Sequence, residues 1–298
     1  MRYIKSKINF ILTTIFFFEN YFYYNSNSID EKITNKTIFT FWEPSDKLPG
    51  YISLCIKTWK KFLPDYIILI LNFKKAKHYL GETIYSNIIY ENMTLPIKAD
   101  AIRVALLKKY GGIWMDADTI VLNREIFKIF NNHELVMMGE EKTQTQNIGF
   151  IFASKKSFII NEWYKEIIYR VKNFKQKLLT KSFFNSSEDK LPWYYLGNGI
   201  VDKLLKNSTN KTFLRLERNI MNPFPEFQYF KNSSLDKIQK YLHFYFQKRE
   251  PEIILNITTD IILLHNSWTP LKYKEMSEKQ FLNQDIFLSR LLSYIINK

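Results

Sequence analysis

The chain has 298 residues, of which 46% are hydrophobic and 17% aromatic, enough to build a sizeable core and outside the range of a disordered chain. Its net charge of +14 is spread as lysines along the whole length, without a helix-turn-helix, zinc-finger or RNA-binding signature, which argues against a nucleic-acid binder. A single cysteine, Cys55, excludes an internal disulfide framework and a cysteine-based zinc site.

Arg2, Lys5 and Lys7 precede an apolar run over residues 8–18, about half the ~20 residues that a membrane span needs. Glu19 and Asn20 interrupt the run, and no small-residue cleavage site follows it. Residues 1–32 are therefore expected to be a peripheral anchor at an anionic membrane surface, on a cytoplasmic protein. A single span continuing through residues 21–24 is the alternative.

Beyond this segment, short strand-like runs alternate with helical patterns, which predicts an α/β architecture. "TIFTFW" (37–42) reads as a first strand, and residues 50–63 place Ile52, Cys55, Ile56, Trp59 and Leu63 at helical spacing. Pro64 and Asp65 stop that helix, and "YIILILN" (66–72) reads as a buried strand. Residues 97–112 form the clearest helix, with Ala99, Ile102, Leu106 and Tyr110 on one apolar face and Gly111 as its cap. "GIWM" then enters the core as a strand, "TIVL" (119–122) continues extended, and residues 134–140 and 148–154 read as further strands. Residues 156–246 are expected to be a mostly helical excursion, residues 260–270 a strand, and residues 277–295 one terminal helix. With only eight glycines and nine prolines no linker is evident, so residues 33–298 are expected to form a single domain.

The chemistry gathers at strand ends. Asp116 and Asp118 flank Ala117, so in an extended segment their carboxylates share a face. Two carboxylates that close repel unless a cation lies beside them, and hard oxygen ligands suit Mg²⁺ or Mn²⁺ completed by water and phosphate oxygens. Asp100 and Arg103, three residues apart, project from neighbouring points of the preceding helix. Asp100 reads either as an acid complementing the first helical turn or as an acceptor for sugar hydroxyls beside an arginine that favours phosphate oxygens. "HNSW" (265–268) follows another apolar run and supplies candidate ligands in His265 and Asn266, with Ser267 and Trp268 as donors for a diphosphate. Phe41 and Trp42 at the first strand end suit a nucleobase, and Gln146 and Asn147 suit sugar hydroxyls, with core packing and turn formation as competing accounts.

"KADAIRVALLKKYGGIWMDADTIVL" resembles the core motif of the capsular polysaccharide synthesis glycosyltransferases, which are related to the DXD-motif glycosyltransferases of family 32. "FTFWEPSDKLPGYISLCIKTWKKFLPDY" is similar to that family's opening strand and helix, and "NIGFIFASKKS" and "HNSW" follow in the expected order. The resemblance implies a GT-A-like fold with a mixed central sheet flanked by helices, a nucleotide-diphosphate sugar donor such as a UDP-sugar, and a divalent cation, Mn²⁺ or Mg²⁺. It implies transfer of a hexose, with retention of configuration, to a glycan or lipid-linked glycan in capsule or lipopolysaccharide synthesis. By motif position it places Asp116 and Asp118 at the metal, Asp116 also at the donor, and Asp100 and Arg103 at the donor sugar. Ser267 and Trp268 fall near the diphosphate, with His265 or Asn266 as a further metal ligand. The chain departs from the pattern at "YLGNGIV" (195–201), where relatives carry a Gly-Pro in the acceptor region. A phosphatase of the haloacid-dehalogenase type also places Asp-X-Asp after a strand, but the residues following Asp118 do not keep its spacing. A non-catalytic, membrane-associated binder of glycans or nucleic acid is the rival from another class.

Overall fold

The computed structural model describes residues 33–140, 145–180, 191–206, 212–217, 234–250 and 259–297. The expected anchor over residues 1–32 lies outside them.

β-branched and aromatic residues form β1 (Thr37–Phe41) and β2 (Ile67–Leu71), paired in parallel from Thr37 with Ile67 to Phe41 with Leu71. The 3.6-residue period between them gives α1 (Gly50–Phe62), whose Ile52, Cys55, Ile56 and Trp59 are fully buried. β2 is an edge strand and only half-buried, not the enclosed strand its apolar run predicts. It has β1 on one side and, among the described residues, no strand on the other, so half of its pleat stays near water.

α2 (Phe73–Leu80) and α3 (Glu82–Ile88) lead into α4 (Leu95–Tyr110), which ends at Gly111 with φ of 71°, as the cap reading expects. α4 does not present a single apolar face. It packs against β1, β3 (Gly112–Met115), α2, α3 and α5 (Phe158–Thr180), so even Asp100 and Arg103 are buried. Asp100 also lies beyond the first turn, because the helix begins at Leu95, and the dipole account of that residue falls away.

The main sheet is mixed and six-stranded, in the order β2-β1-β3-β6-β5-β7. β3 runs parallel to β1 and antiparallel to β6 (Thr145–Ala153), which is antiparallel to β5 (Leu135–Glu140). β7 (Phe213–Glu217) joins β5 in parallel, a strand that the reading of a mostly helical excursion does not place. The alternation of Leu214, Arg215, Leu216 and Glu217 is only four residues long, too short to fix a strand by itself, and pairing with β5 makes it one. The excursion's helices among the described residues are α5, α6 (Asn198–Lys206) and α7 (Ser234–Tyr245), with residues 191–197 as a turn that leads into α6. None of the described helices is long and apolar enough to cross a membrane.

A second, two-stranded ladder pairs β4 (Thr119–Val121) with β8 (Ile261–Leu263). β8 is shorter than the strand expected over residues 260–270, because Asn266–Trp268 close into a 3₁₀ turn. After α8 (Leu271–Lys274), the expected terminal helix is two: α9 (Glu278–Leu282), begun by a Ser277–Gln280 capping box, and α10 (Phe287–Asn297). The break is set by tertiary contacts. Phe287 N donates to Gln247 O at 2.7 Å, and Asp285 pairs with Lys248 and Arg290. The residues Thr34–Lys298 form one compact unit, and the core runs from α1 through β3 and β6 to α10.

Candidate active site

β1 and β3 run parallel, so their carboxyl ends open on the same edge of the sheet, where ligands collect in α/β folds. Phe41 and Asp116 leave the sheet at that edge. The chain turns as soon as β3 ends: Thr119 donates to Asp116 O through both its backbone N, at 3.0 Å, and its Oγ1, at 2.7 Å. Asp116 and Asp118 therefore sit on a turn rather than on one face of a continuing strand, which corrects the extended reading. Each is consequently held by a different part of the fold.

Asp116 is held from the α4 side. Its Oδ1 accepts from Arg103 Nη2 at 3.2 Å and from Trp114 Nε1 at 2.8 Å. Arg103 also pairs with Asp100 Oδ1 at 3.3 Å, donates through Nη1 to Ile148 O, and lies 4.8 Å from the centroid of the Trp114 ring. Only 6% of the Arg103 side chain is exposed, against 41% for Asp116, so the arginine is a buried brace and the aspartate faces the opening. Burial lifts Asp100 to about 7, with Arg103 acting against the shift and Asp116 adding to it.

Asp118 is held from the other side. The β4–β8 register sets Leu264 N on Asp118 O at 3.2 Å, which brings the next turn under the carboxylate. Asn266 N then donates to Asp118 Oδ2 at 2.7 Å across 148 residues of sequence. Asn266 Oδ1 in turn accepts from Tyr51 Oη on α1. Burial and the Asp116 charge lift the Asp118 carboxyl to about 7, and burial and the Asp118 charge push the Tyr51 hydroxyl well up. Four residues on one face of α1 organise this corner. Trp59 Nε1 donates to Thr119 O at 2.6 Å, Thr58 Oγ1 accepts from Val121 N at 2.9 Å, Tyr51 holds Asn266, and Cys55 packs between them as the core thiol its spacing predicts.

Two features of the site carry no motif in the sequence. The β5–β6 register shifts between Met137 and Met138, so residues 148–150 of β6 leave the ladder with β5. This irregularity leaves Ile148 O for Arg103, while the β3–β6 register continues by one pair and sets Gly149 O on Asp116 N at 2.8 Å. Two glycines then allow close approach. A Cβ at Gly149 would stand 2.7 Å from Asp116 Oδ2, and one at Gly197 would stand 2.5 Å from Asp100 Oδ2. Only the "QNIGF" and "YLGNGIV" glycines could have pointed to them, and nothing in their spacing does.

The remaining sequence-predicted residues fall as follows. His265 stacks on Trp268 with centroids 4.0 Å apart and meets the edge of Tyr241 at 5.7 Å, so it is engaged in an aromatic cluster beside Asn266. Ser267 is exposed on the same 3₁₀ turn. Phe41 packs on Phe73 at 5.1 Å, and Trp42 Nε1 donates to Lys47 O at 3.3 Å. Asn147 Oδ1 accepts from Gly149 N at 2.7 Å, the turn-forming role weighed against sugar binding. Gln146 is buried, its N donating to Asp202 Oδ1 at 2.9 Å and its O accepting from Asn198 Nδ2.

The donor set fits a hard divalent cation. Asp116 Oδ1 is taken by Arg103 and Trp114, and Asp118 Oδ2 by Asn266, which orients each carboxylate and leaves its second oxygen for a ligand. Among the described residues no three His, Cys, Asp or Glu side chains converge as a metal cluster. Two carboxylates completed by phosphate oxygens and water is the arrangement Mg²⁺ and Mn²⁺ accept.

Among solved structures, the chain is similar to the apo-form glycosyltransferase GlyE of Streptococcus pneumoniae TIGR4, at 12% identity and a TM-score of 0.39 over 89% of this chain. It spans 62% of that protein's length. It is also similar to the PaToxG glycosyltransferase, at 16% identity and a TM-score of 0.39 over 99% of this chain and 98% of the other. A glycosyltransferase involved in glycosylating the major capsid of PBCV-1 follows at 12% identity and a TM-score of 0.34, over 80% and 97% of the two chains. No curated protein matches the chain. The profile of the family described as capsular polysaccharide synthesis protein matches residues 5–284, and the chain belongs to that family.

Proposed function

We propose that this protein is a GT-A-like, cation-dependent glycosyltransferase that moves a hexose from a nucleotide-diphosphate sugar, a UDP-sugar in the first instance, to a glycan or lipid-linked glycan. The observation that carries the reading is the pair Asp116 and Asp118, each oriented from a different part of the fold at the carboxyl end of β3. Family membership supports the same assignment.

In this reading Asp116 and Asp118 hold Mn²⁺ or Mg²⁺. The cation stabilises the charge that develops on the departing nucleoside diphosphate. Arg103 and Trp114 share Asp116 Oδ1 and so keep that carboxylate aimed. Asp100 holds Arg103 from behind, and the exposed Ser267 hydroxyl supplies a donor for the diphosphate beside Asp118. Phe41 and Trp42, at the end of β1, line the side where a nucleobase enters. Retention of configuration rests on the resemblance.

The test is isothermal titration of UDP and of GDP, with Mn²⁺ and with EDTA, into the wild type and Asp118→Asn. Binding that needs the cation and is lost in the variant is the expected result, and it selects the nucleotide. Binding of neither nucleotide under any condition would end the transferase reading.

A further inference from the structure

The segment that departs from the family pattern is the one that touches the site. Residues 192–199 enter α6, and their backbone is tied at several points. Tyr195 N donates to Pro192 O at 2.9 Å, Gly199 N to Tyr194 O at 3.0 Å, and Trp163 Nε1 on α5 to Leu196 O at 2.7 Å. Arg170 Nη1 reaches Tyr195 O at 2.7 Å, and its guanidinium covers the Tyr195 ring at 5.0 Å. Gly197 presses against the buried Asp100 and Ile148. Asn198 and Asp202, one turn apart on α6, clamp the backbone of Gln146.

On this pinned backbone, Trp193 and Tyr194 are left 68% and 60% exposed while Leu196 points into the core. Water gains nothing from two large apolar rings, so two adjacent aromatics held in it amount to an unused binding face. Three peptide steps keep the Tyr194 Cα within about 11 Å of the Gly197 Cα, which itself abuts Asp100. A pyranose ring offers one flat face of C–H groups and a polar rim, and aromatic rings on a fixed backbone match that face at small entropic cost.

We propose that Trp193 and Tyr194 form the subsite that receives a pyranose ring of the acceptor glycan. The proposal rests on the transferase reading for the word acceptor. The stacking surface itself is independent of the cation site.

The probe is an array of pyranose oligosaccharides from bacterial surface polysaccharides, with full-length wild type, Trp193→Ala/Tyr194→Ala and Trp193→Phe applied in parallel. The expected result is capture of the wild type, a loss of at least about tenfold in the double variant, and retention in Trp193→Phe, which keeps an aromatic face. Both side chains are exposed, so the melting temperature of the double variant stays at the wild-type value. Equal capture of wild type and double variant, or no capture of the wild type, overturns the proposal. So does a double variant that keeps its glycans but loses binding to phosphatidylglycerol vesicles, since the aromatics would then face a membrane. The nucleotide titration separates the two readings. Wild type that binds nucleotide with no effect at Trp193 sinks only the subsite, and glycan capture that depends on Trp193 without nucleotide binding sinks only the transferase.

Discussion

Arg103 lies 3.3 Å from Asp100 and 3.2 Å from Asp116 with 6% of its side chain exposed, so its removal strands the buried Asp100 carboxylate without its partner. Breaking a buried pair from one side costs about 3–5 kcal/mol, and Arg103→Met is expected to lower the urea midpoint accordingly. A midpoint equal to wild type would mean that the brace is not needed. Gly149→Ala tests the close approach at Asp116. Its Cβ would stand 2.7 Å from Oδ2, so cation-dependent nucleotide binding should fall by about tenfold or more while the melting temperature changes little. The buried acids also set a pH dependence. Asp100 and Asp118 rise from 3.8 to about 7 in the folded chain, so between those values the folded state holds protons that the unfolded state has released. Stability is therefore highest at the acid end of that window, falls as pH rises through it, and levels off above it. Urea titrations across the window should show a shallower fall in Asp100→Asn, and equal slopes would remove burial as the cause.

At the scale of elements, α1 is the part that makes the two halves of the site meet. Thr58 and Trp59 hold β4, β4 holds β8, and β8 carries Asn266 to Asp118. Thr58→Val removes the acceptor of Val121 N in a buried place and should cost about 1–3 kcal/mol in a urea titration. The loss of order should extend to the metal-dependent binding at Asp118, and unchanged binding would show that the ladder alone positions the turn. The helical period of Ile52, Cys55, Ile56 and Trp59 identifies α1 without a structure, but not that Tyr51 and Thr58 are its polar contacts with the site. Those partners lie 215 and 63 residues away, and no local spacing encodes them. β7 and the break between α9 and α10 were illegible for the same reason. A five-residue strand and a four-residue interruption are decided by the neighbours they pair with.

Across the whole molecule, the basic, apolar beginning of the chain raises the expectation of attachment to an anionic surface. A peripheral anchor predicts that alkaline carbonate releases the full-length protein from sedimented membranes, and retention in the pellet would favour a true span. The sequence by itself determined the α/β alternation, the helix that ends at Gly111, the strand that delivers Asp116, and the family, because these depend on local period, caps and one contiguous motif. Tertiary structure alone decided that Arg103 is a brace buried under Trp114, that Asn266 orients Asp118 while His265 stacks on Trp268, and that Gly149 and Gly197 let backbone lie against carboxylates. Those outcomes depend on desolvation and on contacts between distant segments, which exist only after the sheet has closed.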